Sequence, residues 1–176
     1  MDIEIWVYSI GFLAIVFGFG AFFGAPYVPT KRRDAERLFK ELNPLSSQDV
    51  LLDLGSGDGL VLRAARRSGA GRAVGYEINP LFYGISRLIS WRDSAVEVKL
   101  TNTWVTNFPD DVTVVYIFSV NKDGKRLERL MQREVDRLGR GVTLICYGNP
   151  LPTIPATDQF EAYSRYAFRP LHLTQP

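Results

Sequence analysis

The chain has 176 residues, about one domain's worth at roughly 100–200 residues per domain. Its 21 Lys and Arg against 19 Asp and Glu leave a charge of +2, too balanced for a protein built mainly to hold nucleic acid, and 46% hydrophobic residues exclude a disordered chain. One cysteine, Cys146, and one histidine, His172, exclude an intrachain disulfide, a thiolate zinc cluster and a two-histidine metal site, and leave a Ser-His-Asp triad only a tail histidine.

Residues 5–25 carry no charge, and about 21 residues at about 1.5 Å each span roughly 31 Å, close to the hydrocarbon thickness of a bilayer. Trp6 and Tyr8 at one end and Tyr27 at the other fit an interfacial aromatic belt, and Pro26 and Pro29 end the helix. The start, Met1-Asp2-Ile3-Glu4, lacks the positive region of a cleaved signal peptide, so a transmembrane helix is expected. The cations follow it as Lys31, Arg32 and Arg33, which by the positive-inside rule puts the rest of the chain on the cytoplasmic side of a single-pass membrane protein. The same run also suits anionic headgroups, or an ordinary solvated helix start. Ala14-xxx-Gly18 and Gly20-xxx-Gly24 fit small-residue helix packing, though glycines are common in membrane helices anyway. Residues 1–30 are thus expected as anchor and juxtamembrane segment, and 31–176 as the folded domain.

Ala35, Leu38, Phe39 and Leu42 recur three and four apart, an amphipathic helix that Asn43-Pro44 ends. Strands and helices then alternate: strand 50–54, helix 60–67, strand 73–77, helix 81–91, strand 95–100, a near-continuous apolar strand 112–118, helix 125–138 with Leu127, Leu130, Met131 and Leu138 inward, and strand 142–147. This order predicts an α/β fold, a parallel sheet with helices on both faces. Beyond Pro150, Pro152 and Pro155, residues 160–173 are β-prone and predict one or two antiparallel edge strands.

The strongest motif is Asp53-Leu54-Gly55-Ser56-Gly57-Asp58-Gly59, between the first strand and its helix. Glycines there let backbone approach a ligand closely. A P-loop is excluded, since no Gly-Lys-Ser/Thr follows, and the third glycine of a dinucleotide fingerprint would fall at Leu60. An acid beside the turn repels a pyrophosphate and suits a ligand with a cationic amino group. Glu77 ends the second strand, where a carboxylate accepts hydrogen bonds from both ribose hydroxyls.

These residues resemble the class I S-adenosylmethionine-dependent methyltransferases over roughly 34–147, which implies a Rossmann-like sheet and S-adenosyl-L-methionine as cofactor. A narrower likeness follows from Pro26-Tyr27-Val28-Pro29-Thr30 after an apolar segment, the glycine loop, and Gly75-Tyr76-Glu77-Ile78-Asn79-Pro80. Together they look like the membrane-anchored protein lysine methyltransferases whose best-known members act on the ATP synthase c subunit and the adenine nucleotide translocase. Ile117-Phe118-Ser119-Val120 and Cys146-Tyr147-Gly148-Asn149-Pro150 lie where that family ends its fourth and fifth strands. The chain departs from it at Asn121, where a proline is usual.

The resemblance implies a cofactor set of Asp53, Gly55, Ser56, Gly57, Asp58, Gly59, Glu77, Ile78 and Asn79. It adds Asn102, Thr103 and Trp104 after the third strand, for adenine, unless that segment is only a turn with an anchoring tryptophan. Methyl transfer from a sulfonium is a displacement with an already activated donor, so neither a metal nor a catalytic histidine is required. A lysine nucleophile, with a reference pKa of about 10.4, must lose a proton first. Tyr27, Thr30, Ser119 and Asn121 are the candidate acceptors, the first two in a segment that resembles the family's closing loop; helix exit and capping is the other role for Tyr27 and Thr30. The expected partners are the bilayer and a membrane protein with an accessible lysine, not nucleic acid. A lipid or quinone methyltransferase and a non-catalytic scaffold are the competing readings.

Overall fold

The structure, a computed structural model, describes residues 4–8, 10–11 and 32–173. Residues 4–8 and 10–11 are helical. Among the described residues no helix is long and apolar enough to cross a membrane, and most of the expected 5–25 span lies outside them, as do Tyr27 and Thr30.

Helix α1 (Arg32–Glu41) packs on α2 (Leu60–Arg67), and a seven-stranded sheet forms behind them. Its strands are β1 (Val50–Leu54), β2 (Arg72–Glu77), β3 (Val96–Leu100), β4 (Val114–Ser119), β5 (Val142–Gly148), β6 (Asp158–Phe160) and β7 (Tyr163–Phe168). The order is β3-β2-β1-β4-β5-β7-β6; the first five are parallel, and β7 is antiparallel to both neighbours. This is a Rossmann-like sheet with its reversal at β1, where the chain crosses from β3 to β4. As expected, the tail adds two antiparallel strands at one edge of the sheet: β7 pairs with β5 through Leu144↔Tyr166 and Cys146↔Ser164, and the three-residue β6 lies outermost.

Side-chain alternation splits the core into two layers. Leu52, Val74, Val115, Ile117, Leu144 and Cys146 face α4 (Gly124–Leu138), joining Leu127, Met131 and Val135. Leu51, Ala73, Val114, Tyr116 and Ile145 face α1 and α2, meeting Leu38, Phe39, Leu62 and Ala65. Leu138, expected inward, is only half-buried at the margin of the first layer. The fourth strand starts two residues later than its apolar run: the Val112 N–H turns back to the Pro109 carbonyl (3.2 Å), so Val112 is core without being strand.

Helix α3 (Pro80–Ser90) starts with Asn79 Oδ1 accepting from the Leu81 N–H (2.9 Å) and Pro80 in the first turn. It lies against α2 through its serines. A Cβ on Gly59 would collide with Ser86 Oγ, and Arg63 reaches Ser90 Oγ at 3.4 Å.

Candidate cofactor site at the carboxyl edge of the sheet

Parallel strands end together, so residues far apart in sequence meet at one edge. Asp53 pairs with Gly75 across β1 and β2, and Glu77 pairs with Leu100 on β3. Beyond β1 the chain cannot continue as strand, because Gly55, Gly57 and Gly59 take φ of 103°, 54° and 79°. Gly55 and Ser56 both donate their N–H to the Tyr76 carbonyl (2.9 and 3.0 Å), which folds the turn onto the end of β2.

Glu77 fixes that turn. Its Oε2 accepts from the Gly57 N–H and its Oε1 from the Asn79 N–H, both at 2.7 Å. One carboxylate thus ties the glycine loop to the start of α3. A carboxylate has about four lone-pair sites, so about two stay free for further donors. Asp58 accepts from the Leu60 N–H (3.0 Å) and lies 3.6 Å from an Arg63 guanidinium nitrogen, at the mouth of α2. Gly55 faces open space: a Cβ built there meets nothing within 4 Å.

Asp53 is buried, and every force on its carboxyl has the same sign. Burial, then the charge of Glu77, then that of Asp58, hold its pKa well above the usual carboxylate range. The cleft therefore favours a ligand that brings positive charge and disfavours a phosphate. It fits S-adenosyl-L-methionine on the chemistry of its donors and acceptors: an acid seeking a cation, a second acid with free lone pairs, and glycine backbone open to approach.

Ser56 turns its side chain away from the cleft. Its Oγ is buried and turned onto Gly75 in β2, and a Cβ on Gly75 would strike that Oγ and come within 2.7 Å of Leu62 Cδ1. Gly75, which opens the second motif, owes its place to this contact: an isolated glycine inside a strand is a sign of close backbone approach.

Ile78 is half-buried between Glu77 and the Asn79 cap. After β3, Asn102 Oδ1 accepts from the Trp104 N–H (3.0 Å), and Thr101 and Thr106 hydroxyls meet at 2.6 Å. Thr103 is half-buried within that turn. The Trp104 ring packs on the core and carries the Arg126 guanidinium at 4.3 Å. Those contacts are the ones an anchored turn makes; Asn102 still has its amide N–H groups to offer.

Ser119 is buried at the tip of β4, and its carbonyl accepts from the Asn149 N–H (3.3 Å) and Nδ2 (3.1 Å). Asn121 begins the 3-10 turn Asn121–Asp123 directly after it. Beside them stand rings that sequence reading left unassigned: Phe118 and Tyr147 at 5.6 Å, Tyr147 and Tyr163 at 4.8 Å. The structure brings Asp53, the glycine turn, Glu77, Asn79, the 102–104 turn and Ser119 to one edge.

A family model for the ANTKMT methyltransferase domain matches residues 53–158. A Homo sapiens lysine N-methyltransferase named for the C subunit of ATP synthase is 33% identical over 114 residues, covering 63% of this chain and 47% of that protein. The adenine nucleotide translocase lysine N-methyltransferase of Mus musculus is 32% identical over 131 residues, covering 73% and 55%. The chain spans about half the length of the curated relatives it matches. Among solved structures, an RNA methyltransferase from Salinibacter ruber in complex with S-adenosyl-L-homocysteine superposes with a TM-score of 0.69 at 24% identity, covering 82% of this chain and 95% of that one. At that identity the likeness establishes the fold alone.

Proposed function

The chain belongs to the ANTKMT methyltransferase domain family, whose cofactor is S-adenosyl-L-methionine, and from that premise we propose that it is a membrane-tethered protein-lysine N-methyltransferase acting on a membrane protein. The observation that carries the reading is the acidic glycine cleft, Asp53 with Asp58 and Glu77 around an open turn. When bound, the cofactor supplies a methyl group already activated on a sulfonium. Asp53 would receive the cationic amino group, the glycine turn would hold the amino-acid portion, and the free lone pairs of Glu77 would accept hydrogen bonds from ribose hydroxyls. Asn102, with its amide N–H groups, and Trp104 would stand on the adenine side of the cleft.

The chain's remaining task is to present a neutral lysine and exclude water. Ser119 and Asn121 at the tip of β4, with Tyr27 and Thr30 from the juxtamembrane segment, serve as acceptors for the lysine N–H groups. Phe118 and Tyr147 form an aromatic wall beside Ser119. A low-dielectric wall lowers a lysine pKa by penalising its charged form. The apolar stretch 5–25 tethers the domain, on the cytoplasmic side by the placement of Lys31, Arg32 and Arg33. Tethering confines the site to a thin layer and raises the effective substrate concentration.

The test is to feed membranes with methyl-labelled cofactor and to compare lysine methylation across the proteome with and without the gene. Label is expected on lysines of membrane proteins. Label recovered in the lipid extract instead would overturn the assignment. Protease added outside intact cells should spare the folded domain; digestion would reverse the orientation.

A further inference from the structure

Helix α3 is built inside out. Its buried residues are Ser86 and Ser90, while Leu88 is 73% and Trp91, its C-cap, 70% exposed, with Leu81 and Ile89 also in solvent. At 100° per residue Leu81, Leu88 and Trp91 share one outward arc, opposite the serines, and Arg87 and Arg92 border it. Scattered exposed leucines are ordinary; an arc of them on one short helix marks an interaction surface.

Two arginines flank the arc. Arg87 donates to the Tyr83 hydroxyl (2.9 Å), and Arg92 lies over the Trp91 ring at 5.0 Å, so neither contact neutralises its cation. A groove of about 330 Å³ between α2 and α3 adjoins the arc at the end of α2 far from the glycine turn. Three of its arginines are already paired, Arg63 with Asp58 (3.6 Å), Arg66 with Asp93 (3.1 Å) and Arg67 with Glu36 (3.0 Å), so Arg87 and Arg92 are the cations that border the arc.

We propose that the outward face of α3 docks on an anionic phospholipid bilayer, with Leu81, Leu88 and Trp91 in the headgroup boundary and Arg87 and Arg92 on lipid phosphates. Large apolar side chains and a tryptophan edged by arginine are what an interfacial helix presents. A nucleic-acid surface would place cations without so much exposed aliphatic area. The proposal deepens the tethered reading and rests on it for proximity: the tether brings the domain to the bilayer, and α3 sets how it lies there. The arc begins at Leu81, two residues beyond the Asn79 cap that Glu77 holds, so a bilayer on α3 runs beside the cofactor cleft.

The experiment places an environment-sensitive fluorophore on Leu88→Cys in the full chain. Cys146 does not compete for the label, because it is buried and burial pushes its thiol pKa up to about 12. Vesicles of phosphatidylcholine alone are compared with vesicles that also hold phosphatidylglycerol, by flotation and by label emission with iodide quenching. Flotation is expected with both, through the tether. The emission should shift to the blue, with loss of iodide access, only on anionic vesicles. Arg87→Gln and Arg92→Gln should each lower the docked-to-undocked ratio about fivefold. A label on Arg129→Cys, exposed on α4 across the sheet, should not respond. Equal shifts on both vesicles, a concentration-dependent shift without vesicles, or a shift on adding polyuridylate would overturn the proposal, the last two in favour of a second copy or nucleic acid. Flotation with anionic vesicles alone, with the shift, would support α3 docking while removing the tether.

Discussion

Two buried carboxylates divide the molecule. Glu134, on α4, is wholly enclosed and saturated: it accepts from the Phe108 N–H (2.9 Å), Arg137 Nε (2.9 Å) and Arg133 Nε (3.0 Å). Asp53, on β1, is nearly as buried, yet burial and the charges of Glu77 and Asp58 all oppose its ionisation. The difference separates a carboxylate that builds the fold from one that awaits a partner. Arg137 also donates to the Phe108 carbonyl (2.7 Å) and pairs with Asp110, so Glu134 pins the whole 101–113 connection to α4. Asp53 pins nothing of that kind. A buried acid held against the local field is the mark of a binding site.

Breaking the saturated acid should cost the most. Glu134→Ala strands a buried N–H and part of two guanidinium groups, and about 3 kcal/mol of stability should go, discounted because both arginines are partly exposed. Denaturant unfolding checks it, and the cofactor affinity of the folded fraction should be close to the parent's. Glu77→Ala should do the reverse. Affinity for S-adenosyl-L-methionine should fall by about 1–3 kcal/mol, about five- to 150-fold, with a smaller loss of stability from the freed Gly57 and Asn79 N–H groups.

Asp53→Asn sharpens the contrast by sign. A carboxyl whose folded pKa is raised contributes stability at low pH that is lost as pH rises through the folded value. The parent therefore carries a penalty near neutrality that the amide lacks. Its Tm should lie below that of Asp53→Asn at pH 7, and the gap should close toward the unfolded carboxylate value, while the variant loses cofactor affinity. The smallest pair is Gly59→Ala against Gly55→Ala. Both positions have positive φ, costing about 1 kcal/mol. Only Gly59 adds a collision, with Ser86 Oγ, so thermal melts should rank it the more damaging.

Much of the cofactor edge was legible because its signals are local. The bounds of α2, 60–67, follow from a glycine turn and a helical period, and β1 from a short run of four apolar residues around Asp53. What lay hidden depends on distant partners. Glu134 reads as one more charge on a charged helix until Phe108, 26 positions away, closes on it. The serine face of α3 turns inward because α2 and the Gly59 turn leave no room for a larger side chain there, a constraint no periodicity encodes. The interior place of β7 is set by its pairing with β5. At the site, Asp53, the glycines and Glu77 could be named from spacing, whereas the double use of Glu77 and the Ser56–Gly75 contact needed the fold.

The most direct measurement is calorimetric titration of S-adenosyl-L-methionine into the parent and Asp53→Asn, from about pH 5 to about pH 7 in buffers of different ionisation heat. A cation arriving at Asp53 ionises it, so the parent should release protons on binding and bind more tightly as pH rises. Asp53→Asn should bind far more weakly, with no such release. Equal affinity in both proteins, unchanged by pH, would contradict the assignment of the acidic cleft to the cofactor.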